Sequence, residues 1–351
     1  MSVMQNLVEL AATQGVPAHA TIELTAKCHL ACAHCYVSHD RQTKLSLACI
    51  VSLLADLKAA GGLFVTFTGG EIALRPDLYE IVAEARRGRF AVRLFTTGTL
   101  WGTSEWQRVA DLGVESVQVS VYADGPKIHD QVTGRRGSFS KTLATIHGLV
   151  DRGVTVVIGC PILSTNARHI HKVAALADRL GVGLRIDPLI TGSDCGGPAP
   201  NAAAASPELL AVVYGHPRFR RAGPETELPT ESRGAAARPC SVGDASVFVR
   251  SSGDVIPCSQ WPTVAGNVLL QPLTEIFHRS PVFRACRALT KDTLCSGAGC
   301  VHAQTCRPCA GMNLQERGSL ALPSLTVCRA TFARRASHSR RPRPAQISPR
   351  T

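Results

Sequence analysis

Between residues 20 and 190 the chain alternates short apolar, β-rich runs with longer stretches of helical periodicity, and this alternation restricts the fold more than any other feature. The apolar runs are Thr21–Leu24, Phe64–Thr68, Val92–Thr96, Ser116–Val121, Thr155–Ile158 and Leu184–Ile186. Between them, Leu47–Ala60, Leu78–Arg87, Glu105–Leu112, Phe139–Arg152 and Ile170–Leu180 read as helices. Glycines follow these stretches (Gly61, Gly88, Gly113, Gly153, Gly181), as the left-handed cap conformation favours. Strands separated by single helices require right-handed crossovers and hence a parallel sheet. Six units are too few to close the usual eight-unit barrel, so the fold class is α/β, a partial (β/α)6 TIM-like barrel. In such folds chemistry gathers at the carboxyl edge of the sheet. Cys28 follows the first strand, Gly69-Gly70-Glu71 the second and Thr97-Gly98 the third, while Ser120 ends the fourth.

Composition removes several alternatives. At 45% hydrophobic and 18% charged, the chain can bury a large core, which excludes global disorder. No uninterrupted apolar run reaches about 18 residues, so no membrane-spanning helix is expected. Ala18-His19-Ala20 has the spacing of a signal cleavage site, but the first basic residue is Lys27 and Glu9 interrupts the apolar stretch, so a cytoplasmic protein is expected. The formal net charge is +12. Seven arginines and no acids lie from Arg329 onward, leaving +5 for the rest. That end, with Arg334, Arg335, Arg340, Arg341 and Arg343, reads as a disordered basic tail. Contact with nucleic acid or an acidic protein is one reading of it, a solvated end the simpler one, and nucleic acid is not an expected partner. The expected organisation is an N-terminal extension (1-19), the barrel (20-190), a Gly-, Pro- and Ala-rich linker holding one helix at Pro207–Tyr214 (191-237), a small cysteine-rich α+β domain (238-330) and the tail (331-351).

Fourteen cysteines without an export signal point to metal ligands rather than a disulfide framework. Cys28-His29-Leu30-Ala31-Cys32-Ala33-His34-Cys35-Tyr36 is a Cx3Cx2C run, three thiols within eight residues on one loop. Structural zinc takes four ligands, so a zinc site would have to enlist His29, His34 or a distant residue. A cubane iron–sulfur cluster on three cysteines keeps one iron without a protein ligand, which makes it a site for chemistry.

With Tyr36 as the aromatic after the third cysteine, this run resembles the signature of the radical S-adenosylmethionine (radical SAM) superfamily, and it stands just after the first barrel strand as in that family. The family's Gly-Gly-Glu motif is matched by Gly69-Gly70-Glu71, with Ile72 where proline is frequent, and the partial six-unit barrel is also the family's. The resemblance implies a [4Fe-4S] cluster on Cys28, Cys32 and Cys35 whose open iron binds S-adenosylmethionine. It further implies reductive cleavage of that cofactor to a 5′-deoxyadenosyl radical that abstracts hydrogen from a substrate. The expected cofactor-binding residues are Tyr36, Gly69, Gly70, Glu71, Ser120 and Asn166, and no catalytic acid or base is assigned. Gly69 and Gly70 allow close backbone approach, and Glu71 offers an acceptor to an ammonium group. Ser120 is a candidate for the ribose hydroxyls, and Asn166, after the fifth strand, for ribose or carboxylate. Against these stand an ordinary turn with a helix-leading acid at 69–71, and loop residues bonding their own backbone at 120 and 166.

Eight more cysteines run from Cys240 to Cys328. Cys240, Gly253 and Cys258 read Cx12Gx4C, and Cys295, Cys300, Cys306 and Cys309 read Cx4Cx5Cx2C. This order resembles the SPASM domain, an extension of radical SAM enzymes that carries two auxiliary [4Fe-4S] clusters. That family's central block is Cx2Cx5Cx3C, so the middle spacing agrees and the outer two depart. Gly266-Asn267-Val268 with a helical Leu273–His278 resembles the family's segment between the cysteine blocks. Carried over by position, the resemblance assigns Cys240, Cys258 and Cys309 to one auxiliary cluster and Cys295, Cys300, Cys306 and Cys328 to the other. The first then lacks a fourth ligand unless Cys195 or Cys286 supplies it. A zinc site on four of these cysteines, or a single auxiliary cluster, stays open. Cys49 and Cys160 read as buried thiols.

Most SPASM members modify peptides or proteins, so the resemblance implies maturation of a ribosomally synthesised peptide natural product. A smaller group dehydrogenates or rearranges sugar-like or aminocyclitol natural products, which is the alternative reading. A non-enzymatic iron–sulfur carrier or zinc protein would need neither the Gly-Gly-Glu loop nor the barrel. Expected partners are the peptide or small natural-product substrate and an acidic flavodoxin- or ferredoxin-type electron donor. Only about 20 residues precede the first strand, so leader recognition would fall to a separate leader-peptide-binding protein or to this chain's own surface.

Overall fold

Apolar residues on alternate positions of the first strand set the barrel's two faces. Ala20, Ile22 and Leu24 are fully buried, while His19, Thr21 and Glu23 alternate with them on the opposite face. This strand is β1 (His19–Thr25) in a computed structural model that describes Leu7 and residues 10–194, 199–219, 239–240, 242–295, 300–302 and 306–339. It is followed by β2 (Phe64–Gly69), β3 (Ala91–Thr96), β4 (Ser116–Ser120), β5 (Val156–Pro161) and β6 (Gly183–Asp187), all parallel and in sequential order across the sheet. The crossovers are α1 (Leu47–Ala59), α2 (Leu78–Arg87), α3 (Thr103–Asp111), α4 (Pro126–Thr133), α5 (Ser138–Val150) and α6 (Ile170–Arg179). The expected strands and crossover helices are all present, most with ends shifted by a residue or two.

Local chemistry explains the helix ends. The Ser46 hydroxyl accepts from the Cys49 N–H to start α1, whose Ile50, Leu53, Leu54 and Leu57 are buried. Truncating Leu57 to alanine in this core would cost about 2–5 kcal/mol. Glycines 61, 113, 153 and 181 take positive φ as expected, but Gly88 does not; its φ is −68° and the left-handed residue is Arg89, at φ 61°. A Cβ at Gly88 would lie 3.0 Å from the Phe90 ring, so space rather than backbone conformation calls for glycine there. Helix α4 was not expected. Its Pro126 sits in the first turn and Gly134 closes it at φ 67°, so eight helical residues hide behind an Asp-Gly-Pro turn signal.

The cysteine-rich region begins by extending the barrel's own sheet. After α7 (Pro207–Gly215), strand β7 (Ser246–Val249) pairs in parallel with β1, and β8 (Asp254–Ile256) and β9 (Gly266–Asn267) add antiparallel strands, making one nine-stranded sheet. Val247, Val249, Leu273, Ile276 and Phe283 belong to the same apolar core as the barrel helices. The short helices α8 (Leu273–Arg279), α9 (Pro281–Arg287), α10 (Lys291–Leu294) and α11 (Ala310–Arg317) follow.

The disordered tail expected from residue 331 is corrected over its first part. Helix α12 (Leu325–Ser339) packs along α7, with Ala330 and Ala333 buried and the Arg334 guanidinium 5.5 Å from the Tyr214 ring centre. Val327, Ala330 and Ala333, three residues apart, form a narrow apolar stripe that the arginine count obscured. Arg340, Arg341 and Arg343 lie outside the described residues, as do Cys195 and most of the linker between α7 and β7. Among the described residues no helix is long and apolar enough to cross a membrane.

Candidate active site and cysteine clusters

The loop that leaves β1 carries Cys28, Cys32 and Cys35, all half-buried. It is stitched to the end of α4, where Ala31 N–H donates to the Thr133 carbonyl (3.0 Å) and Ala33 N–H to the Val132 carbonyl (3.2 Å). Burial pushes all three thiols up; the Glu71 charge adds to it at Cys28, the Cys28 charge at Cys35, and Cys32, with the charges of Cys35 and Cys28 close by, reaches about 12. Thiols held together that strongly resist ionisation on their own are suited to ligating positive metal centres, which relieve the repulsion. Among the described residues no three His, Cys, Asp or Glu side chains meet as a single ion requires, whereas a multi-iron cluster takes its thiolates at separate corners. The histidines that a zinc site would have to enlist are turned elsewhere. His29 Nε2 bonds the Thr99 hydroxyl at 2.6 Å, and the His34 ring packs edge-on against Tyr122, 5.1 Å between centres.

Gly69-Gly70-Glu71 lies directly against the segment entering Cys28. A Cβ on Gly69 would come 2.3 Å from the Thr25 carbonyl oxygen, and one on Gly70 2.3 Å from that of Lys27. Glycine is therefore required by backbone contact. Gly70 N–H donates to Thr25 (2.8 Å) and Glu71 N–H to Lys27 (2.9 Å). The Glu71 carboxylate is buried, and both oxygens are engaged. Oε1 accepts from Ala73 N–H (3.0 Å) and the Thr96 hydroxyl (2.6 Å); Oε2 accepts from Thr97 N–H (2.8 Å) and the Thr97 hydroxyl (2.5 Å). Thr97 in turn meets Thr99 at 2.9 Å, and Thr99 meets His29. Glu71 thus ties the ends of β2 and β3 to the cysteine loop, where the sequence suggested a free acceptor.

Tyr36 turns inward. Its phenol, raised by burial, walls a barrel cavity of about 270 Å3 together with Thr21, Phe95, Phe248 and Cys258. Ser120 is half-buried at the end of β4 and its hydroxyl bonds Tyr122. Asn166 is turned into its own loop. It is 2% exposed, its Oδ1 accepts from Leu163 N–H (2.8 Å) and its Nδ2 donates to the Pro161 carbonyl (2.9 Å). The turn uses the side chain to bond its own backbone.

Sequence reasoning missed Tyr122 and a charged junction behind the loop. Arg41 bridges the carboxylates of Glu23 on β1 (2.8 Å) and Asp194 after β6. Asp194 also accepts from Ser38 N–H (2.9 Å) and donates its own N–H to the Tyr36 carbonyl (2.9 Å), while Glu23 accepts from the Ser251 hydroxyl (2.7 Å) in the β7–β8 turn. Single arginines and acids with no spacing rule between them leave no mark in a sequence.

The C-terminal thiols fall into two groups. Burial, with the charges of Cys309 and Cys240, pushes Cys258 up to about 12, and Cys309 feels Cys240 likewise. Separately, burial and the charges of Cys306, Cys328 and Cys300 push Cys295 up to about 11, and Cys306 and Cys328 each feel Cys300. Cys286 is buried, its thiol 3.5 Å from the Val242 carbonyl, in an apolar cluster with Trp261 and Leu289 against which Cys258 also packs. Cys160 is buried as expected; Cys49 is only half-buried on α1.

Residues 22–177 match the Radical SAM superfamily, and residues 240–310 match SPASM, an iron-sulfur cluster-binding domain. An AdoMet-dependent heme synthase from Methanosarcina barkeri is 28% identical over 82% of this chain and 89% of its own length. A PqqA peptide cyclase from Xanthomonas campestris is 31% identical over 76% of this chain and 75% of its own. In fold the chain is similar to SuiB of Streptococcus suis bound to S-adenosylmethionine, with a TM-score of 0.70, 15% identity, and coverage of 92% of this chain and 80% of that one.

Proposed function

The chain belongs to the radical SAM superfamily and carries its SPASM extension, and from that premise we propose that it matures a ribosomally made peptide by hydrogen abstraction. Bound at Cys28, Cys32 and Cys35, a reduced [4Fe-4S] cluster supplies the electron that cleaves S-adenosylmethionine to methionine and the 5′-deoxyadenosyl radical. The chain's own residues position and shield. The Glu71 network holds the mouths of β2 and β3 to the cysteine loop, and Tyr36 closes the lumen beneath it. The observation that carries the peptide reading is that lumen. With Tyr36 on one wall and Cys258 on another, about 270 Å3 admits one side chain of a longer substrate rather than a whole macrocycle. The test is reconstituted enzyme with short peptides encoded beside its gene, read by mass spectrometry for loss of two hydrogens or, in D2O, uptake of deuterium. Turnover of a tetrapyrrole or an aminocyclitol, with every such peptide unchanged, would overturn the reading.

For the two C-terminal groups the proposed ligation is Cys240, Cys258 and Cys309 for one auxiliary [4Fe-4S] cluster and Cys295, Cys300, Cys306 and Cys328 for the other. Fully reconstituted protein should then hold about twelve irons. Cys306→Ala should lose about four, and Cys309→Ala should still produce deoxyadenosine while failing on substrate. Bound zinc, or only four irons in the wild type, would sink the assignment.

The electron comes, in this reading, from an acidic flavodoxin- or ferredoxin-type donor in the cytoplasm. Beside the cysteine loop a cavity of about 370 Å3 is lined by Lys27, Lys44 and Arg75 with no carboxylate in its walls, and Lys27 adjoins Cys28. Arg75 is paired with Asp77 (2.5 Å), so the attraction rests on the two lysines. Donor-driven deoxyadenosine formation should fall steeply with salt and in Lys27→Glu/Lys44→Glu, while dithionite-driven formation stays level. Recognition of the peptide's leader is assigned to a separate protein or to this chain's surface.

A further inference from the structure

Tyr122, two residues beyond β4, points its hydroxyl at the Cys32 sulfur, 4.0 Å away. The ring is 4% exposed and is held on two sides. His34 packs edge-on at 5.1 Å between centres, and His129 lies tilted at 5.3 Å. The Tyr122 N–H also donates to His129 Nδ1 (3.3 Å), which fixes backbone and ring together. Burial drives both histidines down to about 4, so near neutrality they pack as uncharged rings. Ser120 beside the phenol lowers it, and a Cys32 sulfur bound to iron would carry no proton, so across the 4.0 Å contact the phenol would be the donor. Cys32 is fixed from its own side, because the flanking Ala31 and Ala33 N–H groups are bonded to Thr133 and Val132.

We propose that Tyr122 sets the reduction potential of the cluster on Cys28, Cys32 and Cys35, by donating a hydrogen bond from its hydroxyl to the Cys32 sulfur. The proposal rests on the cluster ligation given above. Reduction of a cluster held there by one electron from its donor would add negative charge to the sulfurs and break no bond. A donor aimed at a sulfur stabilises the reduced form more than the oxidised one and moves the potential to less negative values. The other two sulfurs have no such side-chain donor among the described residues. Cys28 receives backbone N–H groups, that of Leu30 at 3.5 Å and that of His29. His39 reaches Cys35 at 3.7 Å, but its Nδ1 faces the Ala26 carbonyl at 2.7 Å and must carry the proton, so Nε2 offers a lone pair in that tautomer. Ser120 then works through Tyr122, by polarising the phenol.

The test is an EPR-monitored redox titration of reconstituted enzyme. Tyr122→Phe should shift the barrel cluster to more negative potential, with iron content and auxiliary signals unchanged. Placing 3-fluorotyrosine, a more acidic phenol, at position 122 should shift it the other way. Opposite shifts from two rings of nearly equal shape separate hydrogen bonding from packing, and Ser120→Ala should reproduce the phenylalanine shift in smaller measure. Equal potentials in all four proteins would overturn the proposal and leave the ligation standing. A wild type whose Cys28, Cys32 and Cys35 bind no cluster would overturn both.

Discussion

The Glu71 carboxylate holds four donors in a buried turn, and that count makes it sensitive to the loss of a single oxygen. In Glu71→Gln one acceptor becomes an NH2 group facing donors, either Thr97 or the Ala73–Thr96 pair. We expect a loss of about 1–3 kcal/mol in urea unfolding of the apoprotein, with much weaker S-adenosylmethionine binding and the thiols still able to take up iron. An unchanged unfolding midpoint would mean that the network is ornamental. Motif residues such as this one were legible in the sequence because their chemistry is declared by spacing: three thiols on one loop, two glycines before an acid. What each does was less legible. Glu71 engages hydroxyls brought from β3, a contact that no local pattern encodes. Asn166 sits at the correct edge of the barrel yet bonds Leu163 and Pro161 in its own turn. Tyr122 and Arg41 left no signal at all, since each matters only through partners from other elements that the fold brings to it.

Contacts between neighbouring helices are what the sequence concealed. Asp130 lies near the end of α4, but its carboxylate serves α5, accepting from Gly137 N–H (2.7 Å), Phe139 N–H (2.9 Å) and the Ser138 hydroxyl (2.9 Å). Burial pushes this carboxyl up, but the donors from Phe139, Gly137 and Ser138 outweigh it and hold it below the usual range. A depressed folded value means stability that is present above the unfolded carboxyl's titration near pH 3.9 and is lost as pH falls through the lower folded value. Asp130→Ala should therefore cost about 0.5–2 kcal/mol at pH 7, and the gap from wild type should close as pH falls below the unfolded carboxyl's range. A gap that persists in acid would show that the side chain acts by packing. Helix α12 carries the corresponding lesson for the C terminus. Arginines dominate its composition, yet Val327, Ala330 and Ala333 supply enough small apolar surface to seat it on α7, and the same helix carries Cys328 to the second thiol group. The six barrel strands, by contrast, were read to within a few residues, because their apolar β-rich runs stand between helical stretches, whereas the short β7, β8 and β9 were given no bounds.

Across the whole chain, the barrel, the cysteine loop, the linker and the C-terminal strands meet at one arginine. Arg41 leaves the cysteine loop, and its guanidinium reaches two carboxylates whose side chains are 1% and 3% exposed, Glu23 and Asp194. Through Glu23 it reaches Ser251, whose carbonyl also accepts from Lys44 (2.8 Å) and Leu45 (3.2 Å) N–H; through Asp194 it reaches Ser38 and Tyr36. Tyr36 and Cys258 wall the same cavity, so this junction also fixes how the cysteine loop faces the first auxiliary thiol group. A lysine serves the two carboxylates less well, because its ammonium is a compact point charge rather than a planar fork. Arg41→Met would leave two buried carboxylates without a cation, which costs about 3–5 kcal/mol for a broken buried pair. Arg41→Lys should lose less. It should keep cleaving S-adenosylmethionine while yielding less product per deoxyadenosine, because the loop and the auxiliary group would no longer be held in one register. Hydrogen exchange across residues 246–256 should rise in both variants. Wild-type exchange there, together with unchanged coupling of cleavage to product, would show that the strands beyond β1 keep their place without the arginine.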